Sequence, residues 1–303
     1  MQAPDEFDPE IGRPTPLRPG LRRIVAPNPS PMTYRGTNTY LLGRDEIAVI
    51  DPGPDDRDHL DAILAAIPRG SRITHILVSH AHLDHSPLAR RLQSACGAPI
   101  SAFGPAEAGR SAVMERLLQS GMAGGGEGID TSFSPDIHLR EGDRIASADW
   151  RLDVIHTPGH LGNHICFAWG DNCFTADHVM GWASSLVSPP DGDLTDFMAS
   201  CARLQQRDWE AFFPGHGEVI GAPNARLDWL VAHRLGREVQ ILEALRAGPA
   251  TAEALARAIY VDTPPGLLGA ASRNVLAHLI DLKGKNRVMA GEYLQATTVF
   301  ELR

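Results

Sequence analysis

Residues 79–85 read Ser79-His80-Ala81-His82-Leu83-Asp84-His85, three imidazoles and a carboxylate in seven positions. On an extended strand end, His80 and His82 point the same way, because side chains repeat every two residues. Asp84 and His85 follow where the chain turns into a helix, so they can face a second point nearby. Neutral imidazole and carboxylate suit Zn²⁺ and related divalent ions. One short motif can therefore serve two ions. Three later residues occur in turn contexts of the same kind: His160 in Thr157-Pro158-Gly159-His160, Asp177 in Thr175-Ala176-Asp177, and His216 in Pro214-Gly215-His216-Gly217.

Each of these turns closes an apolar run. Ile73–Val78, Arg151–His156, Asn172–Thr175 and Ala211–Phe213 read as strands, and the C-terminal ends of strands are where α/β sheets gather their sites. Thr39–Leu42 and Ile47–Ile50 read as a hairpin, closed by Asp51-Pro52-Gly53-Pro54. Pro99–Phe103, Asp136–Leu139 and Ile165–Ala168 add further strands. Helical spacing covers 57–67, 86–95, 105–120 and 196–207, with Asp55 or Asp56 capping the first. Residues 1–32, rich in proline, read as an extended lead-in. The stretch Gly121-Met122-Ala123-Gly124-Gly125-Gly126 reads as a lid or a surface insertion. Beyond residue 220 come a long helix (226–246), a helix to about Tyr260, a turn at Thr263-Pro264-Pro265-Gly266, a helix over 267–282, and two strands (Arg287–Met289, Thr298–Leu302). That order matches a winged helix.

Composition narrows the classes. The chain has 303 residues, 43% hydrophobic and 21% charged, which is ordinary globular usage and enough for a sizeable core. No apolar run reaches the ~18 residues of a membrane span. The N-terminal MQAPDEFDPE lacks the apolar stretch of a secretory signal. Cys96, Cys166, Cys173 and Cys201 form no CxxC pair, so neither a disulfide framework nor a thiolate zinc site is expected, and a reducing cytoplasm is the default. A net charge of -9 speaks against tight non-specific nucleic-acid binding.

The ordered set HxHxDH, TPGH, a strand-end Asp and PGHG resembles the metallo-β-lactamase superfamily over about residues 36–220. The resemblance implies an α+β, four-layer αββα sandwich. It also implies two divalent metal ions, zinc foremost: His80, His82 and His160 would hold the first, Asp84, His85 and His216 the second, and Asp177 would bridge them. Residues 1–225 would be the catalytic domain, and 226–303 a long helix with a winged-helix module. The C-terminal run, with Thr37-Asn38-Thr39-Tyr40, Asp51-Pro52-Gly53 and Asp262-Thr263-Pro264, is similar to the β-lactamase-like protein 2 subfamily. Its members include a single-strand-specific endoribonuclease, and related fungal sequences act as thioesterases on carrier-bound polyketides.

The implied chemistry is hydrolysis of an ester, thioester or phosphodiester by a metal-bridging hydroxide, with Asp84 orienting it as the catalytic carboxylate. Two divalent ions outweigh Asp84, Asp177 and a hydroxide, so the centre stays positive in an acidic chain. Asp51 and His164 are the candidates to support the ligands by hydrogen bonds. His75 and His156 read as satisfied core residues, and His59, His138, His233 and His278 as surface positions. In the C-terminal module Arg273, Asn274 and His278, with Lys283, Lys285 and Arg287, would suit groove reading. The module otherwise reads as a substrate-shaping or dimer-forming appendage, so a homodimer is one expectation. The partner is a small ester or thioester, or single-stranded RNA, and not a membrane. A non-enzymatic reading, a winged-helix regulator with a metal-sensing domain, stands against the unbroken ligand set.

Overall fold

The computed structural model describes residues 7–122 and 128–303. Two sheets form its centre. The first runs in chain order β1 (Thr15–Arg18), β2 (Leu21–Val25), β3 (Asn38–Leu42), β4 (Glu46–Ile50), β5 (Arg72–Leu77), β6 (Ile100–Ala102) and β7 (Ile137–His138). It is antiparallel as far as β4 and parallel from there on. The second has the order β12 (Ala211–Pro214), β11 (Asn172–Ala176), β10 (Ile165–Trp169), β9 (Arg151–His156) and β8 (Arg144–Ala146).

Alternation builds the layers. In β3 and β4, Tyr40, Leu42, Ala48 and Ile50 face the second sheet, where they meet Leu152, Val154, Ile165, Phe167, Phe174 and Phe213. The intervening Leu41, Ile47 and Val49 face the opposite way, onto α1 (Arg57–Ala65) and α2 (Leu88–Cys96) through Leu60, Ile63, Leu88 and Leu92. The outer face of the second sheet, with Cys166, Ala168, Cys173 and Phe212, is covered by α4 (Leu194–Leu204) and the start of α5 (Pro223–Leu245). Period-2 side chains buried on both faces give helix, sheet, sheet, helix.

The C-terminal module contains α6 (Ala252–Ile259), α7 (Leu268–Gly284) and a small sheet of β13 (Ala250–Thr251), β15 (Val299–Leu302) and β14 (Val288–Met289). Helix α5 belongs to two cores: Leu227 and Leu230 pack on the second sheet, Ile241 and Leu245 in the module. The short helix α3 (Ala112–Gln119) also joins the module's core, through Met114 and Leu117.

Several elements depart from the sequence reading. The lead-in contains a hairpin, β1–β2, at the edge of the first sheet. The helix expected over 105–120 shortens to α3, because Gly109 takes φ +73 and Ser111 caps a new start by accepting from the Met114 N–H. Of the glycine-rich stretch only Gly121 and Met122 lie within the described residues. Asp56, of the two candidates, caps α1.

Candidate metal centre

Five strand ends meet at one rim. Asp51 follows β4, the histidine motif follows β5, His160 follows β9, Asp177 follows β11 and His216 follows β12. The two sheets are tied there by the Asn38 N–H donating to Gly215 O at 2.7 Å. All seven residues expected as ligands are brought together, in two groups that share Asp177: His80, His82 and His160 in one, Asp84, His85 and His216 in the other.

Donor atoms converge within each group. His80 Nε2 and His160 Nε2 each lie 3.0 Å from His82 Nδ1. Asp177 Oδ2 is 3.6 Å from His160 Nε2 and 4.0 Å from His80 Nε2. Its other oxygen, Oδ1, is 3.5 Å from His85 Nε2 and 3.3 Å from His216 Nε2. Asp84 Oδ2 lies 3.4 Å from His85 Nε2 and 3.1 Å from His216 Nε2. Ligands ~2.1 Å from a tetrahedral ion would stand about 3.4 Å apart, so this spacing fits a metal in each group. Among the described residues the buried atoms His85 Nε2, His216 Nε2 and Asp177 Oδ1 have no hydrogen-bond partner, although each has charged neighbours. They surround shared points instead of pairing with one another.

The other ring nitrogens are anchored. His160 Nδ1 lies 2.7 Å from Leu186 O and His216 Nδ1 lies 3.2 Å from Gly36 O. Asp51 does more than its sequence context suggested. Its Oδ2 lies 3.0 Å from His85 Nδ1 and accepts from Ser79 Oγ at 2.7 Å, while Ser79 Oγ contacts His80 Nδ1 at 2.9 Å. One carboxylate thus orients a ring in each group. Ser79 stands in the motif but had no assigned role. Thr37, whose Oγ1 donates to Asp84 Oδ2 at 3.4 Å, was also unassigned. His164 differs from expectation: its Nδ1 is taken by Thr157 Oγ1 at 2.8 Å and its Nε2 has no partner, so it touches His80 by ring contact, 5.1 Å between centroids, and not by a hydrogen bond.

Backbone strain concentrates here. Asp51 at φ +50 and Ala176 at φ +41 occupy the left-handed region without being glycine. Gly215 must be small: a Cβ there would stand 2.4 Å from Asp177 Oδ1 and 2.8 Å from His85 Cε1.

Electrostatics divide the groups. Burial and neighbouring imidazoles push His80 well below the ordinary range and His82 to about 3, and burial lowers His160. In the second group burial opposes charging but loses. Asp84, Asp177 and Asp51 raise His85 well above the ordinary range; Asp177 and Asp84 lift His216 to about 9. Asp84 and Asp177 are held far below the usual carboxylate range by His85 and His216, against the opposing effect of burial.

Two surface expectations are overturned. His59 is buried because α1 seats its first turn on the sheet end, with Nε2 2.9 Å from Thr39 Oγ1, which itself donates to Asp51 O at 2.7 Å. His278 is buried because α7 hides the run from Val275 to Leu282 between the two cores. His138 is exposed and His233 half-buried. His75 and His156 are only half-buried, with contacts to Thr74 Oγ1 and Gly162 O at 2.9 Å each. The groove-reading residues of α7 likewise face inward: Arg273 Nε donates to Ser188 Oγ at 2.9 Å, and Asn274 Oδ1 accepts from the Val187 N–H at 3.0 Å. Lys285 caps the C-terminus of α7 and is engaged by Glu238 and Asp281.

Residues 32–216 match the profile of the metallo-beta-lactamase superfamily, more than half of the chain. The chain belongs to that superfamily. Residues 251–292 match the beta-lactamase associated winged helix domain. A beta-lactamase-like protein 2 homolog from Drosophila melanogaster is 30% identical over 288 residues, 90% of this chain and 92% of its own. An atrochrysone carboxyl ACP thioesterase from a Cryptosporiopsis species is 27% identical, covering 76% of this chain and 64% of its own. Among solved structures, a beta-lactamase domain protein from Burkholderia ambifaria superposes over 100% of this chain and 97% of its own with a TM-score of 0.80 at 20% identity. A metallo-beta-lactamase family protein from Thermus thermophilus covers 94% of this chain and 99% of its own, with a TM-score of 0.74 at 25% identity. The chain is therefore a metallo-β-lactamase-fold hydrolase with a C-terminal winged helix and a His/Asp cluster suited to metal ions. No helix among the described residues is long and apolar enough to cross a membrane.

Proposed function

We propose that the chain is a dinuclear metal-dependent hydrolase, with zinc the first candidate, acting on carbonyl esters and foremost thioesters. The observation that carries this is the division of Asp177, with Oδ2 turned to one histidine group and Oδ1 to the other. His80, His82 and His160 would hold one ion and Asp84, His85 and His216 the second, with Asp177 shared. When bound, such ions supply Lewis acidity and a water acidified to about pH 7.

The remaining work falls to the chain. Asp84 lines the cleft and its side chain keeps 24% exposure, more than any other carboxylate of the cluster. It orients the attacking water and takes up its proton. Water oxygen bonds to the carbonyl carbon, the bond from carbon to the leaving sulfur or oxygen breaks, and the proton passes from Asp84 to the leaving atom. Thr37 Oγ1 and His216 keep the Asp84 carboxylate in place. Asp51 and Ser79 fix His85 and His80.

Three points favour a carbonyl substrate over RNA: the apolar cleft walls Met180, Trp182, Leu186 and Leu267, the inward turn of Arg273 and Asn274, and the thioesterase among the relatives. Single-strand-specific RNA cleavage is the second reading, carried by the resemblance of the sequence motifs to the β-lactamase-like protein 2 subfamily. Metal-loaded enzyme assayed on acyl thioesters, simple esters, single-stranded RNA and a β-lactam decides between them. Thioester turnover with RNA intact supports the first reading. RNA cleavage that fails in Asp84→Asn, with thioesters untouched, replaces it by the second.

A further inference from the structure

The metal cluster occupies one end of a cleft of about 610 Å³. The other end is made by the C-terminal module and the helix leading into it: His233 and Arg237 on α5, Tyr260 after α6, and Thr263, Leu267 and Asn274 at the start of α7 and before it. Apolar Met180, Trp182 and Leu186 line the cleft beside polar Ser184, Ser188 and Asp191. The cleft therefore has room for a molecule that reaches from the cluster to α5.

That far end is cationic. The Arg237 guanidinium carbon stands 3.8 Å from the Tyr260 ring centroid, which fixes its plane. Its Nη1 donates to Gln240 Oε1 at 2.7 Å, and its buried Nε has no hydrogen-bond partner among the described residues. Among the described residues no carboxylate lies within ion-pair distance of it. The adjacent Glu238 is taken by Lys285 at 3.1 Å, and Asp191, a carboxylate lining the cleft, is taken by Arg110 at 3.2 Å. Buried Arg234, one helical turn back, adds a second positive charge and is itself occupied, by Asn274 Oδ1 at 3.1 Å and by Ser185 O. In a chain of net charge -9, a half-buried arginine without a counter-charge, on the wall of the substrate cleft, is matched to an anion. A planar guanidinium suits a carboxylate or a phosphate.

We propose that the substrate carries an anionic group remote from the bond that is broken, and that Arg237 receives it. The winged-helix module then serves as a specificity wall of the catalytic cleft. The proposal rests on the hydrolase reading for which bond is cut, but the anchoring can be read without turnover.

The test compares neutral-leaving-group thioesters, N-acetylcysteamine esters of equal acyl length, ending in a methyl group, a carboxylate or a phosphate monoester. The metal-loaded wild-type enzyme should favour one of the charged series over the methyl series by about tenfold or more in kcat/KM, chiefly through KM. The better charged series identifies the anion. R237Q should bring that ratio close to one, and R237K should retain an intermediate ratio. Dissociation constants of the matching thioethers, which cannot be hydrolysed, are read in parallel from the fluorescence of Trp182 in the cleft wall. If no thioester is turned over but the thioethers show the anion preference and lose it in R237Q, the thioesterase reading fails and the anchor stands. A wild type that does not distinguish charged from uncharged ends in binding, or a preference that survives R237Q, overturns the proposal.

Discussion

The two donor groups of the cluster are built from similar residues and prepared differently. His80, His82 and His160 have one carboxylate oxygen among them, and burial with mutual repulsion keeps their rings neutral. His85 and His216 sit among Asp84, Asp177 and Asp51, which hold them protonated, His216 up to about 9. The first group is ready for a cation as it stands. The second must give up protons first. The difference lies in the number of carboxylates, and under the dinuclear proposal the two ions would bind with unequal pH dependence.

Four predictions bear on that contrast. Asp84→Asn should reduce turnover by about a thousandfold or more, because it removes both the proton acceptor and one side of the second group. Steady-state kinetics on metal-replete protein check it, and near-wild-type rates would remove Asp84 from the chemistry. Gly215→Ala should empty the second group while the first still binds, since the added Cβ meets Asp177 Oδ1 and His85; elemental analysis then finds one ion where wild type holds two. Asp51→Asn should weaken metal affinity by about 10–100-fold, more for the second ion, because Asp51 reaches His85 directly and His80 only through Ser79. Competition with a chelator measures both steps.

The fourth prediction is the smallest per pH unit. Below a pH of about 9 an ion entering the second group must expel the His216 proton, so its affinity should rise with pH, up to about tenfold per unit for each proton displaced. The first group, with His82 lowered to about 3, should bind with little pH dependence between pH 7 and 8. Calorimetric titration of metal-free protein in buffers of different ionisation enthalpy counts the protons at each step. Equal proton release at both steps would erase the distinction.

The seven cluster residues were legible because four lie in one dense motif after β5 and His160, Asp177 and His216 close later strands, while their division into two groups was legible only through the family resemblance. The sandwich was legible only through the family resemblance, since β3 and β4 are buried on both faces and carry no polar/apolar alternation that would show which side meets the second sheet. Long-range polar contacts were not legible. Nothing local to Asp51 says that its carboxylate spans Ser79 and His85, and no hydropathy pattern says that His59 packs beneath it. The C-terminal module was legible as an element order but not in its orientation. The inward turn of α7 depends on α5 serving two cores at once, a tertiary fact that leaves Arg273 and Asn274 looking like surface residues in sequence. The β1–β2 hairpin was hidden by the prolines around it.

The central claim is that Asp177 bridges two ions. Anomalous diffraction at the zinc edge from crystals of zinc-loaded protein tests it most directly. The account predicts two peaks about 3.5–4 Å apart, one among His80, His82 and His160, the other among Asp84, His85 and His216, with Asp177 between them. A single peak at saturating zinc, or two peaks with Asp177 bound to only one, would contradict it.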